Sequence, residues 1–412
     1  MKRCSIYLKP KKEESLLRFH PWVFSGAIAS IVGNPAEGDV VEVYSAGNQF
    51  LGTGHYQIGT ITVRILSFTP VVIDVTFWAE RFRQALDLRL SLGLERRLPH
   101  PFLAETYQTR ETCENDVYRL VHGEGDGLPG LIVDIYAHTA VIQAHSAGMH
   151  HARQDMATAL LSVLGSQIHR IYYKSEGTLP YKAGLNEENE YLWGGECKEL
   201  LPLATENGLR FHIDWLKGQK TGFYIDQRDN RSLLQQYAKG RTVLNMFCYT
   251  GGFSVYALQG GAAVVHSVDS SAKAIALTNE NVLQNFKEDA RHQAFTYDAF
   301  TFLENMGEQY DLIILDPPAF AKHQNVLRNA LLGYRKLNAL AIKKIKKGGI
   351  LFTFSCSQIV SKNDFRLTVF SAAAQSGRTV RILHQLTQPA DHPVNIYHPE
   401  GEYLKGLVLN IN

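Results

Sequence analysis

Five apolar runs, TVLNMF (242–247), AVVHSVD (263–269), AFTYD (294–298), DLIILD (311–316) and GILFTFS (349–355), alternate with helix-patterned segments near 230–238, 252–258, 271–285 and 327–346. Runs without polar alternation must be covered on both faces, and parallel neighbours need crossover helices. The pattern therefore predicts a doubly wound, mostly parallel α/β sheet. Such sheets bind ligands beyond the carboxyl ends of their strands, so the residues just after each run are the first site candidates.

The first run leads through Asn245, Phe247, Tyr249, Thr250 and Gly251 into a helix, within NMFCYTGGFSVYAL (245–258). Glycine permits close backbone approach, and a helix N-terminus offers free N–H groups. Two adjacent glycines among aromatics are not the three spaced glycines of a dinucleotide site; they suit a compact ligand without a pyrophosphate. Asp269 ends the second run, 18 residues after Gly251 (269 − 251), where a carboxylate can accept both ribose hydroxyls. Asp298 and Ala299, within Tyr297-Asp298-Ala299-Phe300, end the third and could border an adenine ring. Together these predict an adenosine-bearing ligand across the sheet edge.

Asp316-Pro317-Pro318-Ala319-Phe320 follows the fourth run. Two prolines fix φ and remove two donors, holding the carboxylate rigidly, while Phe320 could stack on a flat base. Ser355-Cys356-Ser357 follows the fifth run, and neighbouring fourth and fifth strands would put Cys356 close to Asp316. A thiolate adding to cytosine C6 makes C5 nucleophilic toward a sulfonium methyl, so Cys356 is read as the nucleophile and Asp316 as its catalytic partner. Cys248, in the first turn, is assigned to packing.

The remaining sequence adds modules. At 412 residues the chain exceeds one hydrophobic core. Short strands at 38–45, 50–56 and 60–66 predict a small β barrel over 1–70. Trp78, Phe82, Leu86 and Leu90 open an α+β unit over 71–190, and the catalytic domain takes 191–412. A net charge of +2 gives no chain-wide nucleic-acid signal, which leaves the local cluster Lys9, Lys11, Lys12 and Arg18 as the phosphate-binding candidate. KKIKK (343–347) reads as a solvated helix end, and His20, Trp22 and Phe24 as barrel packing. Five scattered cysteines, including Cys4, Cys113 and Cys197, form no CxxC pair and predict neither a disulfide framework nor a metal site. No apolar run reaches membrane-spanning length and no leader pattern is present, so a cytoplasmic protein is expected.

VLNMFCYTGGFSVYA, DPPAFAK and TFSCS, with KTGFYIDQRDNR (220–231), HPWVFSGAI (20–28), GEGDGLPGLIVDIY (123–136) and DHPV…YHPEGEYLKG (391–406), resemble the RlmI (YccW) family of bacterial 23S rRNA cytosine-5 methyltransferases over nearly the whole chain. The resemblance implies an N-terminal PUA RNA-binding domain, a central α/β domain, a class I S-adenosylmethionine-dependent methyltransferase domain and a 23S rRNA substrate. It implies Cys356 as nucleophile and Asp316 orienting the base. Donor contacts are implied at Thr221, Gly222, Phe223, Tyr224, Phe247, Tyr249, Gly251, Asp269, Asp298 and Asp316. Two positions depart: Cys248 replaces an expected Ser, and Ala319 a common Lys, which removes a phosphate contact. Three alternatives stay open: a base N-methyltransferase with Cys356 a spectator, a non-catalytic RNA-binding assembly factor, and a small-molecule methyltransferase. So does a homodimer.

Overall fold

The computed structural model describes residues 4–94, 114–180, 184–185, 188–196, 202–321 and 323–412. Cys113 and Cys197 lie outside them. The chain divides into two units: 1–205 with 213–223 and 390–401, and 206–212 with 224–389 and 402–412.

The first unit holds two sheets. β1 (Cys4–Leu8), β2 (Trp22–Phe24), β3 (Ile28–Val32), β4 (Val40–Tyr44), β5 (Phe50–Tyr56) and β6 (Ile61–Ser67) form one, in the order β2-β6-β5-β4-β1-β3; α1 (Glu14–Leu17) precedes β2. The two edge strands β2 and β3 are joined by only Ser25–Ala27. Three residues span little more than about 10 Å, so the sheet must curl. The expected barrel is thus a curled sheet wrapped around Ile6, Val41, Val43, Val63 and Ile65. At Gly54 the strands approach so closely that a Cβ would lie 2.2 Å from the Arg64 carbonyl oxygen.

The second sheet, ordered β11-β10-β9-β8-β7, contains β7 (Val117–His122), β8 (Leu131–Tyr136), β9 (Thr139–Ala144), β10 (Arg170–Tyr173) and β11 (Glu190–Trp193). α2 (Val75–Ser91) and α4 (Arg153–Leu164) pack together, with α3 (Ala147–His151) beside them. Asp74 caps α2 by accepting from the Phe77 amide, and the stripe begun by Trp78 and Phe82 is buried in the core.

One residue on that buried face is charged. Arg89 is fully buried and donates to both Asp126 carboxylate oxygens, to the carbonyls of Ala85 and Arg119, and to Asp391 O at 2.8 Å. The Asp391 carboxylate in turn accepts from Arg119 N at 3.0 Å. The DHPV motif is therefore the strap of 390–401 that closes the first unit around a buried ion pair.

The second unit carries the expected α/β sheet. β12 (Leu203–Glu206) and β13 (Leu209–His212) flank the Asn207-Gly208 turn, both at positive φ. There follow α5 (Arg228–Tyr237), β14 (Thr242–Met246), α6 (Gly252–Gln259), β15 (Val264–Asp269), α7 (Ala272–Phe286), β16 (His292–Thr296), α8 (Ala299–Asn305), β17 (Leu312–Leu315), α9 (Leu327–Lys344), β18 (Gly349–Ser355), α10 (Lys362–Ser376), β19 (Val380–Leu386) and β20 (Lys405–Ile411). The sheet order is β16-β15-β14-β17-β18-β20-β19, parallel through β18 and antiparallel over β20 and β19. The strand-and-helix rhythm did not predict the last two strands, because antiparallel strands need no helix between them. The lysines of KKIKK serve structure: Lys344 Nζ donates to Glu304 O and Met306 O, and Lys346 pairs with Asp311 at 3.2 Å.

Removing Arg89 leaves Asp126 as an uncompensated buried charge, which costs about 3–5 kcal/mol. Arg89→Ala should lower the urea midpoint of the first unit accordingly. Tryptophan fluorescence reads that unit alone, since all four tryptophans (Trp22, Trp78, Trp193 and Trp215) belong to it. An unchanged midpoint would remove the ion pair from the stability of this unit.

Candidate active site

Three loops meet at one edge because their strands share a ladder: Met246 of β14 is level with Leu315 of β17, and Leu315 with Thr353 of β18.

The loop after β14 is tightly wound. Phe247, Tyr249 and Gly251 have φ of 58°, 48° and 77°. Non-glycine residues there cost of order 1 kcal/mol or more each and persist only when the surroundings fix them. Cys248 N donates to Val268 O, Tyr249 N to Asp269 Oδ2 at 3.0 Å, Thr278 Oγ1 to Tyr249 O and Asn281 Nδ2 to Thr250 O. A Cβ at Gly251 would lie 2.7 Å from Thr278 Cγ2, so only glycine fits. α6 then opens at Gly252 without a side-chain cap, leaving its first amides for a ligand.

Asp269 accepts Tyr249 N on one oxygen and Ser271 N on the other. Each oxygen keeps a second acceptor site, the arrangement two vicinal ribose hydroxyls need. Asp298 is exposed and caps α8: its Oδ1 accepts from Thr301 N and Oγ1, and these bonds hold its carboxyl below the usual range. Ala299 is buried as the first residue of that helix. Asn245 turns into the sheet interior, where its Nδ2 donates to Ser254 Oγ at 2.8 Å. The backbone of this edge thus has room and donors for an adenosyl ligand, and Asp269 is placed where it could accept from ribose hydroxyls.

The second and third loops supply the reactive groups. Asp316 follows β17 and accepts from Gln227 Nε2 at 3.1 Å. Burial, reinforced by the neighbouring Asp226 carboxylate, pushes its carboxyl up to about 7; the Gln227 bond and Arg231 oppose the shift. Asn230 Nδ2 orients Gln227 at 2.7 Å, and Tyr403 donates its hydroxyl to Asp226 Oδ2 at 2.7 Å. Arg231 is paired at two points with Glu206 and donates to Tyr224 O, which fixes Tyr224 edge-on to Tyr249 at 5.2 Å.

Cys356 follows β18, its Sγ 3.9 Å from Pro317 O, and Ser357 Oγ ties the two loops through Ala321 O at 2.7 Å. Tyr224 holds its proton well above the usual range through burial and the charges of Tyr249, Asp226, Asp316 and Cys356 around it. Cys248 contrasts with Cys356: it is buried against Thr278 Oγ1, and burial pushes its thiol up to about 12.

The other candidates have these surroundings. Thr221, Gly222 and Phe223 belong to the first unit, where Thr221 is fully buried and hydrogen-bonds Asp134 at 2.6 Å and Tyr136 at 2.8 Å. Gly222 has φ 126° against Trp215 N, and Phe223 O accepts from Tyr136. Pro317 is buried and Pro318 exposed; Phe320 is half-buried, its ring against Tyr334 at 4.6 Å. Lys9, Lys11, Lys12 and Arg18 are exposed on the first unit, with Lys9 donating to Gly26 O and Arg18 3.9 Å from Glu14. Asp226, Gln227, Arg231 and Tyr403 had no role assigned from sequence. For Asp226, Gln227 and Arg231 the signal was the run IDQRDNR, too polar for an ordinary core-facing helix start.

Residues 181–401 match the family of S-adenosylmethionine-dependent methyltransferases, and residues 6–68 a PUA-like domain. Ribosomal RNA large subunit methyltransferase I of Aeromonas hydrophila is 38% identical over 98% of this chain and 99% of its own length. The protein of the same name from Pseudoalteromonas atlantica is 39% identical over 98% and 99%. Among solved structures, a chain described as a SAM-dependent methyltransferase from Streptococcus mutans superposes with a TM-score of 0.80 at 23% identity, covering 98% of this chain and 99% of that one. A methyltransferase complexed with SAH gives 0.81 at 23%, with the same coverage. At that identity the two structures share the fold.

Two outcomes follow from this geometry. Asp269→Ala removes two charge-assisted acceptor sites and should weaken S-adenosylmethionine binding about 30- to 1,000-fold by calorimetry, or about 2–4 kcal/mol; an unchanged affinity would withdraw the ribose assignment. Asp316, with its carboxyl raised to about 7, keeps a proton in the fold over a pH range in which a free carboxyl is ionised. Its contribution to stability is full below the unfolded value of 3.8 and is lost as pH rises through about 7. An infrared carboxyl band titrating near pH 7 should be present in the wild type and absent from Asp316→Asn; a band lost by pH 5 would contradict the buried environment.

Proposed function

The chain belongs to the family of ribosomal RNA large subunit methyltransferase I, an S-adenosylmethionine-dependent group, and we propose that it methylates C5 of a cytosine in 23S rRNA through a covalent bond between Cys356 and C6. The observation that carries this reading is the meeting of Cys356 and the Asp316-Pro317 loop at the ends of adjacent parallel strands, with Sγ 3.9 Å from Pro317 O.

S-adenosylmethionine, when bound, supplies an electrophilic sulfonium methyl. The protein's part is to make C5 able to accept it. The Cys356 thiolate forms the Sγ–C6 bond, and the displaced π electrons pass through C4 to N3. Asp316, whose raised carboxyl keeps a substantial neutral fraction near pH 7, is placed to give N3 a proton in that step, which leaves C5 enamine-like. After methylation water takes the C5 proton, the C–H electrons form C5=C6 and expel the Cys356 thiolate, and N3 returns its proton to Asp316. The rigid Pro317-Pro318 pair keeps Asp316 and Cys356 in one geometry throughout.

In this reading residues 1–70 form the RNA-binding module, residues 71–190 the central domain and residues 191–412 the catalytic domain. Exposed Lys9, Lys11, Lys12 and Arg18 contact phosphate, and Pro317, Pro318 and Phe320 line the base. No described helix is long and apolar enough to cross a membrane. A ribosomal RNA substrate is consistent with a cytoplasmic protein in this reading.

Cys356→Ala should lower turnover by at least about three orders of magnitude while RNA and cofactor still bind, whereas Cys248→Ser keeps activity. RNA carrying 5-fluorocytosine at the target has no C5 proton to lose, so the wild type should remain attached through Cys356 in a band that survives denaturation. Robust methylation by Cys356→Ala with no trapped wild-type complex would replace this reading with methylation of an exocyclic amine.

A further inference from the structure

Lys405 opens β20 directly opposite Ser355, the residue before Cys356. It is only 5 % exposed. A lysine in such a place needs compensation, since an unpaired buried ammonium is costly. Its Nζ donates to Ser357 O and, at 2.6 Å, to Val360 O. Both carbonyls belong to the loop that carries Cys356 from β18 to Ser361, the cap of α10. The loop therefore folds around a cation, and two of the three ammonium N–H donors hold it.

Building on the Cys356 reading above, we propose that Lys405 is a positioning residue for the methyl transfer: it fixes the 356–360 loop and supplies the positive charge that keeps Cys356 as a thiolate.

The surroundings of the thiol make such a charge necessary. Cys356 acts on Tyr224 and Tyr334, both also influenced by Asp316, and Asp226 lies behind Asp316. Burial and acidic neighbours both favour the neutral thiol. Among the described residues, Lys405 is a cation that answers them, since Cys356 raises its pKa. Burial lowers the Lys405 pKa to about 8, a net fall that Cys356 and Glu402 oppose and Lys362 reinforces. Lys362 is itself bonded to Glu402 at the surface. On ionisation the Cys356 Sγ–H proton leaves to water, and the thiolate remains beside the ammonium.

The test is alkylation of Cys356 by iodoacetamide in the full-length protein, followed by peptide mass spectrometry from pH 5 to 10. In the wild type the apparent thiol pKa should fall at least about 1 unit below the free value of about 8.5. Lys405→Gln and Lys405→Met should raise it again by about 1 unit or more, slowing alkylation at pH 7 by about tenfold. Lys405→Arg should stay near the wild type, because it keeps the charge. S-adenosylhomocysteine binding checks that each variant is folded. A wild-type value at or above about 8.5 overturns the proposal without any variant. So does an unchanged value in a folded Lys405→Gln protein. If that protein's value is unchanged while the wild type still traps 5-fluorocytosine RNA, Lys405 loses its role and Cys356 keeps its own. A lowered thiol pKa without any trapped RNA supports the ion pair and removes the nucleophile.

Discussion

The parallel ladder of β14, β17 and β18 is the constraint on which the rest of the second unit depends. Its hydrogen bonds put Met246, Leu315 and Thr353 at one level, so the chain leaves all three strands at the same height. The wound loop before α6, the Asp316 loop and the Cys356 loop then have nowhere to go but one edge. A slip of one residue in any strand would turn its whole side-chain set to the other face and break the site. The strands resist slipping because they are buried on both sides.

Buried charges do a second kind of fixing. Arg231, held by Glu206, reaches the carbonyl of Tyr224 and lies under Gly252, where a Cβ would come within 3.1 Å of its side chain. Arg89 with Asp126 and Arg119 with Asp134 act likewise inside the first unit. Such pairs add little net stability over apolar packing, but each tolerates few alternative arrangements. They sit where loops must be placed closely and where aliphatic side chains, with no directional bonds, would leave the backbone free to shift.

Residue type alone does not decide chemistry at this edge. Cys248 and Cys356 are both cysteines after core strands. One is sealed against Thr278, with its thiol pushed up to about 12; the other lies beside Pro317 O on a loop folded around Lys405. Asp269 and Asp316 differ in the same way. Two backbone amides hold the first as an acceptor, whereas burial and Asp226 raise the second toward neutrality.

The sequence by itself determined the parallel sheet and the loops at its carboxyl edge, on which Gly251, Asp269, Asp316 and Cys356 lie. Apolar periodicity, glycine and proline act locally and leave their mark in adjacent residues. It also located three of the six strands of the N-terminal sheet, β4, β5 and β6. It did not determine that this sheet curls with β2 and β3 as its edges, or that β19 and β20 complete the catalytic sheet. Nor did it determine that Asn245 faces inward or that Thr221 is committed to Asp134 and Tyr136. The partners of Asp316 and of the loop that carries Cys356 were equally hidden, because Gln227 and Lys405 stand 89 and 49 positions away from Asp316 and Cys356 in the chain (316 − 227 and 405 − 356). Only tertiary structure decided these, since burial and hydrogen bonding between distant segments arise from the folded arrangement and leave no periodic trace in the chain.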